Sequence, residues 1–159
     1  MHSPRSPNHV LASLAASDGD ALLPHMKTIS LSQGKVVAEA GKQIDTILLP
    51  HSGIVSVVVG LATGEVIEIG MIGRESVLGA SVAIDDGLFL NQAIVQVGGA
   101  ATVIAARHVR EVAERSPSFR ATFLRHERAL LAQSQQSAAC MQRIARAGGP
   151  VGSLAVEGS

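Results

Sequence analysis

Residues 31–59 read LSQGKVVAEAGKQIDTILLPHSGIVSVVV, and this stretch decides the fold. Short runs rich in Val, Ile and Leu are broken by single glycines at Gly34, Gly41 and Gly53, seven and then twelve residues apart. Runs of this length suit strands, and a lone glycine between them suits a corner that needs positive φ or a close backbone approach. The same texture extends outward from Lys27 to about Ala105. The strand-like runs are Thr28–Leu31, Lys35–Ala38, Thr46–Leu49, Ile54–Leu61, Val66–Met71, Ala93–Val97 and Ala101–Ala105. Ala62-Thr63-Gly64-Glu65 reads as a hairpin turn. The helix-length insertions of an alternating α/β chain are missing, so the reading is mainly β: a sandwich, roll or barrel.

The flanks read as helical. Residues 1–7 hold two prolines and no periodicity. Asn8 can cap a short helix carrying Val10, Leu11 and Leu14, and Asp18 or Asp20 can start another turn with Leu22 and Leu23. After Ala106 the apolar spacing becomes helical through Val109, Val112 and Ala113. Ser116-Pro117 ends that helix and begins another. The second one can run over 117–147, up to Gly148-Gly149-Pro150, which at 1.5 Å per residue is about 46 Å and outreaches a small β domain. Leu124, Leu131, Ala138 and Ala145 repeat every seven residues along it, the spacing of a helix that pairs along its length. A homodimer is therefore expected, with Phe123, Leu124, Leu131, Ala138 and Met141 at its interface. The expected organisation is a β domain with its N-terminal helices over 8–116, a dimerisation helix over 117–147 and an unstructured tail over 148–159.

Composition narrows the function. Of 159 residues, 47% are hydrophobic and 16% charged, which favours a packed core over a disordered polymer. Three Phe with no Tyr or Trp argue against binding nucleic acid by stacking bases on aromatic rings. The single Cys140 excludes an internal disulfide framework and a cysteine-rich zinc site. No run approaches the roughly 20 apolar residues of a membrane helix, and a cytoplasmic location fits. Residues 1–106 carry five Lys/Arg and nine Asp/Glu, a net of −4, whereas 107–146 carry eight Arg and three Glu, a net of +5. His2, His9, His25, His51, His108 and His126 include no close pair, so a cupin-like metal enzyme is the least favoured reading. No G-x-S-x-G turn is present, and no catalytic residue, metal site or cofactor is assigned.

The order of elements, the glycine spacing, EVIEIGMIGRESVLGAS (65–81) and LLAQSQQSAAC (130–140) together resemble the regulatory domain of CRP/FNR-type bacterial transcription regulators. The resemblance covers roughly residues 8–145. It implies a cyclic-nucleotide-binding-type β-roll (a double-stranded β-helix, or jelly roll) followed by a long dimerisation helix. It also implies a small effector as partner. In that family the nucleotide phosphate sits at a short helix N-terminus, a Glu takes the ribose 2′-hydroxyl and an Arg supplies the counter-charge. The matching positions here are Leu78-Gly79-Ala80 and Asn91-Gln92, so neither charged group is present. With Gly73 upstream, the candidate pocket comprises Gly73, Gly79, Ala80, Asn91 and Gln92. Losing two charge-assisted hydrogen bonds of about 1.5–3 kcal/mol each lowers affinity by roughly 10²–10⁴. Weak cyclic AMP binding is expected, and the pair Ala80→Glu and Asn91→Arg is expected to strengthen it. The twelve residues 148–159 cannot hold a helix-turn-helix, so specific DNA binding by this chain alone is not expected. The expected function is a sensor and dimerisation domain without enzyme activity. The alternative is a ligand-independent dimerisation partner of full-length regulators.

Overall fold

The computed structural model describes residues 6–85 and 87–126. Asn8 caps the first helix, α1 (His9–Ala12), its side-chain oxygen accepting from the backbone N–H of Val10 and Leu11. α1 stops before Leu14, which instead packs half-buried against the core. α2 (Ala16–Leu22) starts two residues ahead of Asp18, so Asp18 is not its cap. It lies in the first turn, is buried, and its Oδ2 accepts from the Ser116 hydroxyl at 3.0 Å. A 3-10 turn (Leu23–His25) leads into the roll.

The strands are β1 (Lys27–Leu31), β2 (Val36–Ala38), β3 (Lys42–Gln43), β4 (Thr46–Pro50), β5 (Ile54–Gly60), β6 (Val66–Ile72), β7 (Leu88–Phe89), β8 (Gln92–Val97) and β9 (Gly99–Ala105). They form antiparallel sheets in the orders β1-β9-β4, β2-β8-β5-β6 and β3-β7. The expected runs match seven of these strands to within a residue or two at each end. The short pair β3 and β7 was not expected, because two-residue strands leave no period to read. Gly34, Gly41 and Gly53 all have positive φ, as the corners require. At Gly53 the packing adds a second demand: a Cβ there would lie 2.5 Å from the Val97 carbonyl oxygen.

Two cores follow from the pleat. In β4, Ile47 and Leu49 face the helices, and the intervening Leu48 faces the roll interior. The helical core gathers Val10, Leu22, Val109, Val112, Phe119 and Phe123 over the β1-β9-β4 sheet. The roll interior is aliphatic, filled by Val55, Val57, Ile72, Leu78 and Val95 among others. Two helices remain. α3 (Ala80–Asp85) lies between β6 and β7, and α4 (Ala106–Arg115) follows β9 directly. Ser116 breaks α4, and residues 117–126 are helical again.

Phe123 corrects the expected dimer surface. It is fully buried within its own chain, with its ring centroid 4.3 Å from that of Phe119, so it has no face left for a partner. Leu124 is half-buried against the same core. Leu131, Ala138 and Met141 lie outside the described residues.

Candidate ligand-binding site

The approach to α3 is fixed by backbone. Leu78 forms an isolated bridge with Leu48, with N–H to O distances of 2.8 and 3.1 Å. Gly79 then takes φ +92, and a Cβ there would lie 2.9 Å from Ile44 Cδ1. This conformation turns the chain into α3, whose first turn closes through Ala83 N–H to the Gly79 carbonyl at 2.9 Å. Arg110 on α4 donates from Nε to the Ala83 carbonyl at 3.0 Å, which ties α3 to α4.

Two clefts among the described residues take up three of the five candidate pocket residues. Asn91 and Gln92 line an open cleft of about 500 Å³ with Glu39, Ala40, Val58, Val59, Gly60 and Leu90. Gly73 lines a second cleft, formed by 51–54 and 71–76. Gly79 and Ala80 line neither of these, and Ala80 is fully buried in the helical core. A glutamate at position 80 would place a carboxylate among aliphatic side chains, where desolvation opposes it strongly. The Ala80→Glu half of the expected rescue is therefore withdrawn, whereas Asn91 remains accessible to change.

The electrostatics of the first cleft follow from its lining. It presents one carboxylate, Glu39, and two neutral amides, with no Lys, Arg or His in the wall. Glu39 is ion-paired with Lys42, three residues on. That hydrogen bond and the carboxylate charge raise the Lys42 pKa above its ordinary value. The lysine thus neutralises Glu39 and does not line the wall itself. Leu90 stands at the rim, 79% exposed, so it does not plug the space. Nothing in the wall offers a phosphate the bidentate cation it prefers. Sequence reasoning missed Glu39, since a carboxylate two residues before a corner glycine carries no distinguishing pattern. It also missed the role of Asn8, which is fully buried and whose Nδ2 donates to the Pro50 carbonyl at 2.9 Å and the Ser76 carbonyl at 3.1 Å. Those two bonds join the first helix to the end of β4 and to the loop before α3.

Among the described residues, no group of three or more His, Cys, Asp or Glu could hold a metal ion, and no helix is long and apolar enough to cross a membrane. No protein-family model and no curated protein matches the sequence. Solved structures do match. The regulatory domain of Toxoplasma gondii PKA, crystallised with cAMP, is 10% identical with a TM-score of 0.60 over 68% of this chain; the chain spans only 41% of that neighbour's length. The c-di-GMP-responsive global regulator CLP of Xanthomonas campestris is 14% identical with a TM-score of 0.67, covering 84% of this chain and 70% of its own. The sensor domain of the transcriptional regulator DNR from Pseudomonas aeruginosa is 16% identical with a TM-score of 0.60, covering 86% of each chain. The mainly β fold, antiparallel sheets with a few helices, is thus similar to that of these regulatory and sensor domains.

Proposed function

We propose that this chain is the sensor and dimerisation domain of a CRP/FNR-type transcription regulator, acting in the cytoplasm as a homodimer, with a ligand cleft that no longer recognises a cyclic phosphate. The observation that carries the second half is the wall beside Asn91 and Gln92. The resemblance places an arginine there, whereas the polar side chains of this wall are two amides and a carboxylate. The first half rests on the fold and on the α3–α4 tie through Arg110, which gives a change at α3 a direct route to the helices that follow.

The lack of a phosphate cation also favours a second reading, a partner that dimerises without sensing. A thermal-shift panel of cyclic nucleotides and small neutral metabolites, run beside sedimentation, separates the two, because a ligand of the native state raises its stability. A hit whose NMR shifts fall on residues 39–40, 58–60 and 90–92 supports the sensor. A dimer that no compound stabilises supports the partner. A monomer without a ligand contradicts both.

A further inference from the structure

The second cleft, of about 510 Å³, is lined by Gly73 but by none of Gly79, Ala80, Asn91 and Gln92. Its wall combines two chemistries. Ile54 is half-buried, and Met71 is left 44% exposed, which gives an apolar side. Arg74 is exposed, and its guanidinium makes no ion pair among the described residues. The loop carrying it is held in place, because the Arg74 carbonyl accepts from the His9 backbone N–H at 2.7 Å. The neighbouring Glu75 also lines the cleft, and its Oε1 lies 4.0 Å from His9 Nδ1, both side chains being largely exposed. On the facing loop, the His51 ring is anchored by Nε2 to Thr102 Oγ1 at 2.5 Å, which leaves Nδ1 as its remaining polar atom.

We propose that this cleft binds a small amphipathic oxyanion, a molecule with an apolar body and one carboxylate or phosphate. The apolar body covers Ile54 and Met71, and the oxyanion takes a forked pair of hydrogen bonds from Arg74. The site is independent of the Asn91 cleft and of whatever that cleft binds. Because Arg74 is solvated, the expected affinity is modest, on the order of 0.1–1 mM for a short probe.

The test is NMR titration of the full chain with octanoate, octyl phosphate, octylammonium and inorganic phosphate. Octanoate or octyl phosphate should saturate, with shifts centred on residues 51–54 and 71–76, and comparison of the two identifies the preferred head group. Octylammonium and inorganic phosphate should bind at least about tenfold more weakly. Arg74→Gln should weaken the anion by about tenfold or more, Arg74→Lys should retain part of the binding, and Asn91→Arg should leave it unchanged. Arg74 is exposed, so both of its variants should keep the wild-type melting temperature. Equal binding of the ammonium and the carboxylate, binding unaffected by Arg74→Gln, or shifts centred elsewhere would overturn the proposal.

Discussion

Removing the Asn8 side chain tests the reading of the N-terminal helix most severely. In a fully buried position, Asn8 Oδ1 accepts from Val10 N–H at 2.9 Å and Leu11 N–H at 3.3 Å, and Nδ2 donates to the carbonyls of Pro50 and Ser76. Asn8→Ala takes away the cap, which costs about 0.5–2 kcal/mol. It also strands the buried Pro50 carbonyl, which costs about 1–3 kcal/mol. The expected loss is about 2–4 kcal/mol, a drop of roughly 5–15 °C in melting temperature for a chain of this size. Two further variants separate the halves. Asn8→Ser keeps an oxygen for the cap and loses the donors, so it should fall between wild type and alanine. Asn8→Asp also keeps the cap but turns a carboxylate toward two carbonyl oxygens, so it should be at least as unstable as serine. Urea melts at neutral pH read all three. An alanine variant within about 0.5 kcal/mol of wild type, or an aspartate variant as stable as asparagine, would refute the reasoning.

Three further outcomes are expected. Burial, followed by the charge of Arg125, lowers the His126 pKa below 6.5, against a hydrogen bond from the ring to the Glu75 backbone. The unfolded chain therefore binds the extra proton first, so the stability linked to His126 is complete above pH 6.5 and is lost as pH falls through the lowered value. His126→Gln should flatten that part of a stability–pH curve, and an unchanged curve would remove the effect. Gly79→Ala should cost about 1–2 kcal/mol through its positive φ, plus the contact with Ile44, and Ile44→Val should recover only the contact part; a neutral Gly79→Ala would show that the turn is not strained. Leu131→Glu combined with Ala138→Glu should give monomers in sedimentation if the seven-residue series pairs two chains, and a persistent dimer would place the interface elsewhere.

The roll was legible because its strands are long enough to show β-branched runs and its corners fall on glycines that need positive φ, as Gly34, Gly41 and Gly53 do. Asn8 was legible as a cap from residue type and position. Its second pair of hydrogen bonds was not, since Pro50 and Ser76 lie 42 and 68 residues away. Phe123 misled because a helix stripe states that a face is covered without stating by what. Here the chain's own core covers it before a partner can. The site was only partly legible. Asn91 and Gln92 line one described cleft and Gly73 another, and Ala80 is buried in the helical core. Which side of α3 faces the core depends on its packing against α4, which no local pattern encodes.

The most direct test of the central claim, a regulatory fold whose cleft has lost its phosphate cation, is calorimetric titration of cyclic AMP into the wild type and into Asn91→Arg. The account predicts no saturation of the wild type at low micromolar nucleotide, and a gain of roughly tenfold or more, about 1.4 kcal/mol, in the variant. Tight saturation of the wild type would contradict it, and so would a folded variant that shows no gain.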